Sequence, residues 1–144
     1  MMPELKKTYL RMLLPAAAGT MLICLAKLYE LLPWKPLEFQ ARMAPIVFVL
    51  SAIAALAFPM LYRTLFAYRV RHLRTLSPQQ LLKLERRLIV SALLTPYLTM
   101  LALLFELPRF HVAGTVLLTL YAVYFYYPSE RRIRFDRQIF RVRP

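Results

Sequence analysis

A chain of 144 residues that is 60% hydrophobic, with mean hydropathy +0.49, carries twenty Lys and Arg against seven acids, a formal charge of +13. Soluble domains are about 45–50% apolar, which excludes an ordinary water-soluble globule, and a chain this apolar collapses or inserts rather than staying disordered. A soluble nucleic-acid-binding domain would match the charge but not four long apolar runs, which leaves a small all-α polytopic membrane protein.

A basic arm (Lys6, Lys7, Arg11) leads into the first apolar run, about 12–32. Ala16, Ala17, Ala18 and Gly19 offer small residues of the kind found at a signal-peptide cleavage site. The apolar run continues for more than a dozen residues past them, which predicts a retained span rather than a cleaved leader. Cys24 lies within this run and reads as a small hydrophobe; a single Cys forms no intramolecular disulfide. The second run, about 43–62, contains Ser51, Ala52, Ala54, Ala55 and Ala57. Helices in lipid associate through close packing of small residues, so the small patches of these two runs are the predicted contact between the first two helices.

Between about 63 and 87 the sequence does not read as a floppy linker. Tyr62, Phe66, Val70 and Leu73 recur at helical spacing. Ser77-Pro78-Gln79-Gln80 has an N-cap, a proline at the first helical position and a Gln placed to close a capping box. Leu81, Leu84 and Leu88 continue the apolar seam. The second and third helices are therefore predicted to extend past the bilayer as a basic helical hairpin with its tip near 75–78. Residues 43–76 would form about 50 Å of helix against a hydrocarbon core of roughly 30 Å. This favours projection of the hairpin over its bending along the headgroups.

The third run, about 88–107, places Ser91, Thr95 and Thr99 at i, i+4, i+8 around Pro96. Such hydroxyls satisfy carbonyls freed by the proline, bond across to a neighbouring helix, or line a narrow water path in an oligomer. The prolines at 15, 59 and 96 are expected to bend their helices, whereas Pro45 and Pro128 sit at helix ends. The fourth run, about 110–127, ends in Tyr121, Tyr124, Tyr126 and Tyr127, an aromatic belt, with Trp34 marking the opposite interface. A faint repeat pairs Thr20-Met21-Leu22 and Tyr29-Glu30-Leu31-Leu32-Pro33 with Thr99-Met100-Leu101 and Phe105-Glu106-Leu107-Pro108. It fits either chance in a Leu-rich chain or a duplicated hairpin. The tail, 128–144, alternates basic and apolar groups; Ser129 is placed to cap a short helix that lies on an anionic surface or docks on an acidic partner.

Sixteen of the twenty Lys and Arg fall in the N-terminal arm, the 63–87 segment and the tail, against Lys35, Arg42 and Arg109 on the other side and Lys27 within the first run. The positive-inside rule then places both termini in the cytoplasm, in a membrane read as a bacterial inner membrane, with the whole chain as one four-helix domain. Orientation accounts for the basicity without a nucleic-acid partner.

Catalytic signatures are absent: there is no HExxH, CxxC, GxSxG, phosphate loop or acidic metal cluster, and no cofactor is implied. His72 and His111 fall on opposite sides of the membrane and cannot jointly hold a haem. Lys27, Glu30, Glu106, Arg109 and His111 gather at the outer ends of the helices, either pairing at the interface, as Lys27 and Glu30 can at i, i+3, or forming a polar site. The residues expected to meet anionic headgroups or a partner are Arg63, Arg69, Arg71, Arg74, Lys83, Arg86, Arg87, Arg131, Arg132, Arg134 and Arg137. The expected function is that of a non-enzymatic accessory or scaffold subunit, docking a cytoplasmic protein or anionic lipid or pairing with its own copies. The alternative is a small oligomeric transporter or channel using the outer polar groups.

Overall fold

The computed structural model describes residues 2–31, 39–72 and 76–141. Trp34, Lys35, Leu73, Arg74, Thr75 and Arg143 lie outside them. The described residues form helices and no strand: α1 (Met2–Leu28), α2 (Phe39–Ala52), α3 (Phe58–Val70), α4 (Pro78–Ala92), α5 (Thr95–Leu104), α6 (Arg109–Phe125) and α7 (Glu130–Ile139). Three stretches are long and apolar enough to cross a membrane, namely Met2–Leu28, Arg42–Val70 and Pro78–Leu104. A fourth is reached if α6 and α7, bent by 75°, count together.

Proline chemistry sets the internal joints. α2 and α3 are joined by one wide π-helical turn, Ile53–Ala57, just ahead of Pro59, and the Phe58 amide donates to the Ile53 carbonyl. Pro59 has no N–H to offer the Ala55 carbonyl, and the wider turn relieves the ring clash while the helix continues. At Pro96 the helical hydrogen bonding is interrupted: α4 stops at Ala92 and α5 restarts at Thr95 with proline in its first turn, while the two together still form one span-length stretch. α1, by contrast, runs through Pro15 as a single helix.

α4 lies at the centre. Leu81, Leu84, Leu88 and Ala92 pack with Ala55, Ala122 and Tyr126. Ile89 packs with Leu5, Tyr9 and Leu93 and with Ile133 of α7. A third cluster, Ala44, Ala102 and Leu107, joins α2 to the far end of α5. Leu14, Met21, Leu22, Leu117 and Leu120 point outward, as lipid-facing residues do.

Two expectations about packing are corrected. Among the described residues the small patches of the first two helices make no extensive contact. α1 packs on α4 and α5, with Gly19 closed over by the Met100 side chain, and Ala55 of the π-turn faces α4 and α6. A small residue permits close approach but does not specify which helix approaches. The tyrosine belt also divides: Tyr124 is almost fully exposed and Tyr127 half so, whereas Tyr126 is buried in the core.

Hydroxyls fasten the helices to one another. Tyr9 donates to the Val123 carbonyl at 2.7 Å and Tyr97 to the Met12 carbonyl at 2.8 Å. Thr99 donates to the Thr115 carbonyl at 3.1 Å and accepts from the Thr119 hydroxyl at 2.7 Å, so part of the predicted stripe does bond across to α6.

Candidate functional site

Charged groups concentrate at the end of the bundle formed by α3, the first half of α4 and α7. The capping box at Ser77 starts α4: the Ser77 hydroxyl accepts from the Gln80 amide while the Gln80 side chain accepts from the Ser77 amide. Ser129 likewise accepts from the Arg132 amide and starts α7, which turns back across the bundle. The chain then returns to α3 and the start of α4: the Leu76 amide donates to the Arg141 carbonyl, and Phe66 and Phe140 meet edge to face at 5.4 Å between centroids.

This return places two carboxylates in the interior. Glu85 of α4 and Asp136 of α7 are each only 2% exposed. Arg132 reaches Glu85 Oε2 at 3.1 Å and lies 3.9 Å from Asp136 Oδ2, and it also donates to the Phe125 carbonyl at 2.9 Å. Its guanidinium sits 5.0 Å from the centre of the Tyr126 ring. Arg63 of α3 holds Asp136 Oδ1 at 2.6 Å. One network therefore ties α3, α4, the end of α6 and α7 together, and Arg132 satisfies one of the carbonyls left open where α6 ends.

Arg63 and Arg132, both expected to face lipid or a partner, are engaged by internal acids. The sequence reading missed Glu85 and Asp136, although a signal was present. Glu85 falls on the apolar seam Leu81–Leu84–Leu88, and Asp136 shares a face with Ile133 and Phe140; an acid on a buried stripe requires a cation. Of the other basic candidates, Arg71 lies over the Tyr68 ring at 4.1 Å and donates to His72 Nε2 at 2.9 Å. Arg69, Lys83, Arg86, Arg87, Arg131 and Arg134 are exposed at this end with no acidic partner among the described residues, Arg137 is exposed beside them, and Arg74 lies outside the described residues.

Between α3 and α4 runs a groove of about 350 Å³, lined by Tyr62, Leu65, Phe66, Arg69, Val70, Gln80, Lys83, Leu84 and Arg87. A second hollow of about 710 Å³ shares Tyr62, Lys83 and Arg87 with it and extends to Phe58, Val90, Ser91 and Leu94.

The opposite end holds less. Lys27 pairs with Glu106 at 3.3 Å across helices, not with Glu30 on its own. Glu30 and Glu106 are instead equivalent in backbone: each takes a positive φ (51° and 52°) two residues past the last residue of its helix. The Leu31 amide reaches the Ala26 carbonyl just as the Leu107 amide reaches Ala102. The two arms of the faint repeat thus end in the same left-handed cap, where glycine is usual. His111 is flanked by the Phe48 and Phe110 rings, and its Nδ1 is buried without a hydrogen-bond partner among the described residues; Arg109 is exposed at the start of α6. No group of three His, Cys, Asp or Glu among the described residues is placed to hold a metal.

Comparison with family models, curated proteins and solved structures gave no match to this chain.

Proposed function

We propose that the chain is a four-span integral membrane protein, its fourth span formed by α6, with the second and third spans prolonged as a basic hairpin (α3 and α4) and with both termini in the cytoplasm of a bacterial cell. It acts as a non-enzymatic accessory or scaffold subunit, presenting the α3–α4–α7 end to anionic headgroups or to an acidic face of a partner.

The supporting observation is how the cations divide. Two arginines neutralise the two buried acids and thereby fold the tail onto the hairpin. Arg69, Lys83, Arg86, Arg87, Arg131 and Arg134 stand exposed without an ion pair among the described residues. An uncompensated cluster held on a rigid scaffold attracts anionic surfaces, at about 1 kcal/mol per basic residue near a charged membrane. The rival reading, transport through polar groups at the outer ends, has weaker support. Lys27 and Glu106 pair with each other, and Thr99, Thr115 and Thr119 bond within the α5–α6 interface.

The test is affinity purification of the tagged full chain from cells in mild detergent, with accessibility reporters at both termini. A partner subunit that co-purifies with the native chain, and is lost when Arg131 and Arg134 are reversed to Glu, supports the reading. Recovery of the chain alone, with reversals that leave cells unaffected, overturns it, as does a terminus reporting from the outer side.

A further inference from the structure

The two hollows along α3 and α4 share three lining residues and so form one continuous groove. Its two ends differ in chemistry. Towards the centre of the bundle it is walled by Phe58, Val90 and Leu94; towards the polar end it is rimmed by Arg69, Lys83, Arg86 and Arg87. From Phe58 to Arg69 along α3 is about 16 Å, close to half the roughly 30 Å thickness of a hydrocarbon core. With the second span ending near 62 and the third starting near 88, the groove straddles the boundary of the hydrocarbon core, Phe58 and Leu94 about 6–9 Å inside it and Arg69 and Lys83 among the headgroups.

Among the described residues no rim cation is closed into an ion pair, although Glu4 shares a separate hollow with Lys83 and Arg86 on the other side of α4. Glu85, which neighbours Arg86 in sequence, points inward to Arg132, and Asp136 is held by Arg63. No carboxylate lines either part of the groove. An occupant that fits therefore carries a negative group covalently joined to an apolar chain. An acidic protein segment answers the rim but leaves the Phe58–Leu94 arm, which lies at the depth of the acyl chains, without a matching surface.

We propose that this groove is a binding site for an anionic phospholipid of the inner leaflet, its phosphate among Arg69, Lys83 and Arg87 and one acyl chain laid along Phe58, Tyr62 and Leu94. The inference deepens the reading above and rests on its membrane topology. Bound there, the lipid cross-links α3 to α4 from outside, on the groove side of α4 rather than the side held by the Arg63–Asp136 and Arg132–Glu85 pairs.

The experiment titrates the purified full chain, in neutral maltoside micelles, with dioleoyl phosphatidylglycerol, dioleoyl phosphatidylcholine, glycerol 3-phosphate or a decaglutamate peptide. Thermal unfolding by circular dichroism gives the shift, and native mass spectrometry counts retained lipid. Phosphatidylglycerol is expected to raise Tm saturably with one lipid retained, and phosphatidylcholine to do neither. The Lys83→Gln/Arg87→Gln variant weakens the phosphatidylglycerol response about tenfold, and Val90→Trp, which fills the apolar arm at unchanged charge, weakens it similarly. Arg131→Gln/Arg134→Gln, which removes equal charge outside the groove, leaves it intact. Each variant is compared with its own lipid-free Tm, so a loss of fold is not read as a loss of binding.

Equal response to glycerol 3-phosphate and to the lipid overturns the proposal in favour of a free phosphate site. Response to decaglutamate but not to phosphatidylglycerol overturns it in favour of a protein partner and leaves the accessory-subunit reading standing. Lipid binding that persists while no partner co-purifies supports the groove and overturns the subunit reading alone.

Discussion

Arg132→Met is the perturbation that most directly probes how the tail is held. The native side chain is 17% exposed and faces two carboxylates that are each 3% exposed at the side chain. Removing the guanidinium strips Glu85 of its cation, leaves Asp136 with Arg63 alone, and frees the Phe125 carbonyl. Breaking a buried pair from one side costs about 3–5 kcal/mol; burial already pushes the Glu85 carboxyl up to about 7, so without Arg132, which lowers it, the group must take up a proton to stay inside. The network sits at the end of the bundle with some solvent at Arg132, so the lower end, about 3 kcal/mol, is expected. Arg63→Met is expected to cost less, about 1–2 kcal/mol, because Arg63 is 40% exposed and Asp136 retains Arg132 at 3.9 Å. The double variant Arg132→Met/Glu85→Leu removes both charges and is expected to return to within about 1 kcal/mol of the native chain. The assay is reversible unfolding in mixed dodecyl sulfate–maltoside micelles followed by far-ultraviolet circular dichroism, with tryptic cleavage at Arg131 and Arg137 reporting release of α7. A single-variant cost below about 1 kcal/mol, or a double-variant cost equal to the sum of its two parts, would refute the view that Glu85 is a desolvated charge held by Arg132.

Three further outcomes are measurable in the same unfolding assay. Gly114→Ala is expected to destabilise by about 1–3 kcal/mol, because a Cβ there runs into the Phe48 ring. Gly19→Ala stays within about 0.5 kcal/mol, because the Met100 thioether it meets can swing aside and the helix gains a better former. Equal costs at the two sites would contradict this difference in neighbours. Glu30→Gly is expected to stabilise by about 0.5–1 kcal/mol by relieving the left-handed backbone. Glu106→Gly gains less because it also gives up the Lys27 pair, so a larger gain at 106 than at 30 would sink the argument. Ser77→Ala removes the capping box of α4 and is expected to cost about 1 kcal/mol; no change in midpoint would show that the cap does not hold the hairpin arm.

Much of this architecture is local and therefore legible in the residues. Apolar runs long enough to span a bilayer, the Ser77 and Ser129 caps and the break ahead of Pro96 all follow from interactions within one helix turn, which a linear pattern encodes. The concentration of cations on three segments is equally a property of the chain. Helix neighbours are not encoded in this way. Gly19 and Ala55 are small whichever helix approaches, and lipid supplies no hydrophobic force to choose among them, so only the assembled shape places Gly19 against Met100 and Ala55 against α4 and α6. The same limit applies to charge. A carboxylate on an apolar seam announces a need for a cation, but Glu85 lies 47 residues from Arg132 and Asp136 lies 73 from Arg63. The return of α7 across α3 and α4 selects those two arginines from a crowd of equivalents. The sequence alone determined the apolar runs long enough to cross a membrane, the helices and the segregation of charge along the chain. The tertiary structure decided which cations hold the fold together and which remain exposed for a ligand, because that choice depends on which distant segments are brought within a few ångströms and away from water.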